Sequence, residues 1–158
     1  MQILAGLTNF IKSLKGGKVE TQAIVLTPKE MPVDLKPHMG NAHNRREQYQ
    51  QFLAGFAWLL DRAVAQGIAV RGGDWCRSQA QAAENAANGV GIVNSKHCYS
   101  LAVDLDIVDP QGTGKGINYA SVDYKTLGAL WQSIGGTWGG DFTTRVDMRH
   151  FEHPQDPL

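Results

Sequence analysis

With 158 residues the chain has the length of one domain, enough to bury roughly two-thirds of the surface its unfolded form exposes. Fifteen lysines and arginines balance fifteen aspartates and glutamates, which argues against a nucleic-acid binder or a chain held to acidic membranes by net charge. Two cysteines, Cys76 and Cys98, are too few for a disulfide scaffold and are read as reduced thiols.

The first predicted helix carries Ile3, Leu4, Leu7, Phe10, Ile11 and Leu14 on one face. Thr8-Asn9 interrupts this apolar run and Lys12 follows early, so no signal peptide is expected, and the stretch is too short to cross a membrane. After Gly16-Gly17, residues 22–27 form a candidate strand; Pro28, Pro32 and Pro37 then keep the chain extended or turning as far as His38. Residues 1–44 are therefore read as a helix and an extended arm without independent stability, and 45–158 as the functional domain. His38 and His43 have no partner pattern and are read as surface residues.

A long helix is predicted from about Asn44 to Gln66, with Tyr49, Phe52, Leu53, Phe56, Leu59, Leu60 and Ala63 recurring at three and four. Gly67 ends it. Ile68 to Arg71 is a short strand, and Ser78 is placed to cap a second helix over Gln79 to Ala87. A loop then delivers His97. From Leu101 to Val108 the residues alternate, with Leu101, Val103, Leu105 and Ile107 on one face and Ala102, Asp104 and Asp106 on the other. Residues 109–120 form a glycine-rich connection, and a third helix begins at Ser121 or Asp123 with Tyr124, Leu127, Leu130 and Trp131 on its apolar side. Thr137 to Gly140 and Met148 to His153 complete the strands. The expected fold is α+β, a small antiparallel sheet with helices packed on one side.

Two carboxylates on one face of an otherwise branched, apolar strand need a compensating partner. Two imidazoles with one carboxylate suit zinc, which in hydrolytic sites takes three protein ligands and keeps a fourth position for water. His97, Asp104 and His150 are the predicted ligands. Asp147, three residues before His150, is the predicted proton acceptor and later donor, although a plain turn role suits it too. Asp106 and Glu152 are expected to orient the ligands or to serve a purely structural purpose. Cys98, despite standing next to His97, is not expected to bind the ion.

Ser95, His97, Ala102 and Asp104, together with Asp147-x-x-His150-Phe151-Glu152, resemble the zinc D-Ala/L-Ala peptidases of the M15 type, phage endolysins and carboxypeptidases among them. Trp138 to Phe142 and Arg77-Ser78 also fit that pattern, and the likeness spans about residues 45–153. Ser100 stands where the family pattern has glycine. The resemblance implies a hedgehog/DD-peptidase fold, zinc as cofactor and hydrolysis of a bond in the peptidoglycan stem peptide. It also implies that Arg77 holds the substrate carbonyl or the developing oxyanion, and a positively charged donor array suits that task. Ser95 is placed beside the substrate or the ligands.

The expected activity is that of a phage-type endolysin, an L-alanyl-D-glutamate endopeptidase, made in the host cytoplasm and released to the cell wall through a pore. A D-alanyl-D-alanine carboxypeptidase or dipeptidase is the alternative within the fold, and a zinc-stabilised wall-binding module the alternative outside enzymology. A monomer is expected, with no nucleic-acid partner.

Overall fold

The computed structural model describes residues 36–108 and 122–158, all within the compact unit Pro32–Leu158. The helix predicted over Ile3 to Leu14, the strand at 22–27 and the glycine-rich connection at 109–120 lie outside the described residues. In chain order come α1 (Arg45–Ala65), β1 (Val70–Gly72), α2 (Gln79–Ala87), β2 (Ala102–Ile107), α3 (Asp123–Ser133), β3 (Thr137–Trp138) and β4 (His150–Glu152). Short 3-10 turns occupy Lys96–Tyr99 and Gly139–Asp141.

Capping residues set the helix boundaries. Asn44 accepts from the Glu47 amide at 3.0 Å and starts α1; Ser78 accepts from the Gln81 amide at 3.1 Å and starts α2. Each side chain satisfies a donor that would otherwise lack an intrahelical partner.

The four strands form one sheet in the order β1-β2-β4-β3, and every pair is antiparallel. This is the α+β architecture expected from the pattern. Alternation along β2 divides the sheet into two faces. Val103, Leu105 and Ile107 turn inward to meet Phe52, Phe56 and Leu59 of α1 and Tyr124, Leu127 and Trp131 of α3. Phe151 of β4 joins that core and meets Trp131 edge-on, with ring centroids 6.1 Å apart. Asp104 and His150, opposite one another in the register, fall on the other face.

Two local features depart from the sequence reading. Leu53, counted on the apolar stripe of α1, is half exposed, whereas Gln48 is fully buried. Gln48 earns its burial by donating to the Asp156 carbonyl at 2.7 Å and accepting from the Leu158 amide at 3.1 Å, which straps the 154–158 segment to the start of α1. Met39, part of the arm, is also buried, and its amide donates to the Ile134 carbonyl at 2.7 Å.

The 3-10 turn before β2 ends at Ser100, whose φ of 54° is left-handed. The Leu101 amide reaches back to the Lys96 carbonyl at 3.1 Å, a helix-terminating arrangement that glycine normally serves. Ser100→Gly is therefore expected to stabilise the protein. Relief of about 1–2 kcal/mol of left-handed strain outweighs about 0.4–1 kcal/mol of added freedom in the unfolded chain. Urea denaturation should show a net gain of roughly 0.5–1 kcal/mol, and a loss would contradict the strain argument.

Candidate metal centre

β2 and β4 pair so that Asp104 faces His150, while the 3-10 turn, held by its αL end, turns His97 toward both. The three donor atoms form a nearly equilateral triangle. His97 Nε2 lies 3.2 Å from His150 Nδ1, and each of these atoms is 3.3 Å from Asp104 Oδ1. The residues come from three separate parts of the chain.

Tautomer chemistry sharpens the geometry. His150 Nε2 is 2.8 Å from Glu152 Oε2, and a carboxylate can only accept, so this nitrogen carries hydrogen. In a neutral ring, Nδ1 then presents a lone pair toward Asp104 and His97. His97 Nδ1 is buried with no hydrogen-bond partner among the described residues. Electron pairs converging in this way repel unless a proton or a metal cation sits among them. A tetrahedral zinc with ligand bonds of about 2.0–2.1 Å separates its donors by about 3.3–3.4 Å. The observed edges match that spacing, so the donor set fits zinc in both chemistry and size. Among the described residues, this is the one group of three or more such side chains close enough to share an ion.

The electrostatics follow from these contacts. Burial alone would raise the Asp104 carboxyl, but hydrogen bonds and charge from His150 and His97 outweigh it and hold Asp104 well below the usual carboxylate range. Burial would likewise lower His150, yet Asp104 and Glu152 overcome it and push the imidazole up to about 9. Glu152 is shifted downward: His150 and Lys96 outweigh its burial.

The remaining predicted residues surround the same cavity, which is lined by Arg77, Ser95, Asp147 and Glu152 together with the three donors. Asp147 is half-buried; its amide donates to the Gly139 carbonyl at 2.9 Å, and its carbonyl accepts from the His150 amide at 3.1 Å. Gly139 makes this approach possible, because a Cβ there would stand 2.4 Å from the Asp147 oxygen and 2.9 Å from the His150 Cβ. Trp138 braces the turn, donating from Nε1 to the Met148 carbonyl at 2.9 Å while its ring lies on Gly128 of α3.

Arg77 is tied down on two sides. Its Nε donates to Asp74 Oδ2 at 2.8 Å, and Nη1 donates to Ser95 Oγ at 3.3 Å. Glu152 orients His150 directly, as the 2.8 Å contact shows. Asp106 lies elsewhere. It shares the face of Asp104, but its carboxylate takes Arg71 at 2.9–3.0 Å and Arg149 at 2.5 Å, and among the described residues it touches none of the three donors. Cys98 stands apart from the donors, its Sγ 3.7 Å from the Ser78 carbonyl.

Three contributors had no assigned role in the sequence reading. Asp74 immobilises Arg77, and the acid three positions ahead of the arginine was the only available hint. Lys96 donates to Glu152 at 3.0 Å and to the His153 carbonyl at 2.8 Å, binding the His97 turn to β4 across 56 residues of sequence. Fully buried His153 accepts from the Gln155 amide at 3.2 Å and faces Gln51 Oε1 at 3.0 Å; burial chiefly holds its pKa below the ordinary histidine value.

The family profile described as D-alanyl-D-alanine carboxypeptidase, of the M15 peptidases, matches residues 88–153. That span takes in all three donors and Asp147. The resemblance to the M15 peptidases is borne out. The fold also compares with that of the crystal structure of the Serratia marcescens L-Ala D-Glu endopeptidase ChiX, at a TM-score of 0.51 and 20% identity. The likeness covers 72% of this chain and 88% of that one, and at this identity it is a likeness of fold. No curated protein matches the chain.

Proposed function

We propose that the chain is a zinc peptidase that hydrolyses a bond in the peptidoglycan stem peptide, as an L-alanyl-D-glutamate endopeptidase of the endolysin type. The observation that carries this reading is the donor triangle of His97, Asp104 and His150, opening into a cavity that Asp147 and Arg77 also line. The M15 match over the same residues and the fold shared with an L-Ala D-Glu endopeptidase support the substrate class.

His97, Asp104 and His150 would hold the ion, with Glu152 fixing the His150 ring through Nε2. Zinc held there supplies a Lewis acid that polarises the scissile carbonyl and acidifies water. Asp147 takes the proton of the attacking water and returns it to the departing amine as the C–N bond breaks. Arg77, with Nε held by Asp74, turns Nη1 toward Ser95 and stabilises the carbonyl oxygen as it gains charge.

Incubation with purified muropeptides and zinc tests the proposal directly. New D-glutamyl amino termini are expected; release of free D-alanine would instead favour the carboxypeptidase reading that the family description names. Absence of any product with metal bound would overturn the enzyme reading and leave a wall-binding module. Lysis of wall suspensions, followed by turbidity, tests the endolysin assignment separately. No helix among the described residues is long and apolar enough to cross a membrane.

A further inference from the structure

The arginines described around the active face differ sharply in how their charge is engaged. Arg77 is committed to Asp74, while Arg71 and Arg149 share Asp106. Arg145 is the exception. It lies on the 142–146 loop and lines the same cavity as His97 and His150, yet among the described residues no carboxylate lies within ion-pairing distance of it. Among the described residues its one hydrogen bond is Nη1 donating to the Gly89 carbonyl at 3.2 Å.

That contact also aims the side chain. Gly89, with φ of 70°, opens the loop that carries Val90 and Ile92 along the cavity wall, and Arg145 bridges to it from the opposite loop. With Nη1 occupied, Nε and Nη2 remain as a pair of parallel donors, the arrangement a carboxylate accepts in bidentate fashion. Arg77 is poorly suited to that duty, because Asp74 already neutralises the same two donors on its guanidinium. The cavity lining sets Asp104, Asp147 and Glu152 beside Arg77, Lys96 and Arg145; Lys96 is paired with Glu152 and Arg77 with Asp74, which leaves Arg145 as the lining cation with no carboxylate partner among the described residues.

We propose that Arg145 is a specificity-determining residue that binds a free carboxylate of the substrate, the one next to the scissile bond on its amine side. This deepens the peptidase reading and rests on it. The substrate class that follows is an acidic peptide, and masking the acid as an amide should remove the advantage.

The test compares N-acetyl-L-alanyl-D-glutamate with N-acetyl-L-alanyl-D-isoglutamine, which differ only in that carboxylate. Wild-type enzyme is expected to prefer the acid by about 10- to 100-fold in kcat/KM, the range of a charge-assisted hydrogen bond at a rim site. R145Q should erase the preference mainly through KM, while R145K should restore part of it without the bidentate geometry. Zinc affinity, measured by chelator competition, should be the same in both variants because Arg145 touches none of the donors. Equal discrimination by R145Q and wild type would overturn the assignment, as would equal use of acid and amide by the wild type. Failure of the wild type to cleave either compound or any muropeptide would count instead against the peptidase reading itself.

Discussion

Asp147→Asn is expected to retain zinc at wild-type stoichiometry while kcat falls by about 10²- to 10⁴-fold, the usual contribution of a positioned acid–base group. Asparagine keeps the size and the acceptor oxygen that receives the Arg149 amide at 3.3 Å, so the turn should persist. It cannot accept a proton at neutral pH. The carboxylate lies outside the donor triangle, and its own backbone is anchored on Gly139, so metal content should not respond. Metal analysis by atomic emission beside steady-state kinetics on muropeptides separates these effects. Loss of both metal and activity would make Asp147 a fourth ligand or a structural residue; loss of neither would remove it from the chemistry.

Stripping the metal should cost more stability at alkaline than at acidic pH. In the metal-free protein the His150 imidazole is raised from its ordinary 6.5 to about 9, so its contribution is complete below 6.5 and disappears as pH rises through about 9. Asp104 and Glu152 are lowered, so theirs are present above the ordinary values of 3.8 and 4.5 and fade as pH falls further. The stripped protein should therefore be most stable between about pH 4.5 and 6.5. Zinc must displace the proton from His150, so its apparent affinity should climb by as much as about tenfold per pH unit between 6.5 and 9. At a free metal concentration about 1,000 times the dissociation constant, binding adds about 4 kcal/mol to folding stability. Melting curves with and without chelator at pH 6 and pH 8.5 should diverge much more at the higher value. A chelator effect independent of pH would show that His150 gives up no proton to the ion.

His150 and Glu152 show why the site was partly legible beforehand. In an extended strand, residues two apart share a face, so Asp104 and Asp106 on β2 and His150 and Glu152 on β4 follow from the period alone. The antiparallel register that sets Asp104 opposite His150 brings those faces together. Asp106 marks the limit of such reasoning. Its face was correctly read, but which neighbour it meets depends on β1 delivering Arg71 to the same edge, a matter of strand order and not of spacing.

Local patterns were enough for the helix cap at Ser78, the buried face of β2 and the α+β class, because capping and periodicity act over a few residues, while donor chemistry singled out His97, Asp104 and His150. Tertiary structure alone decided the contacts that tune those side chains: Lys96 on Glu152, Asp74 and Ser95 on Arg77, Arg71 on Asp106 and Arg145 on the Gly89 carbonyl. Most of these pairs are separated by between 18 and 56 residues, and a long polar side chain has many acceptors within reach of its flexible stem. Only the folded sheet and its loops select one of them.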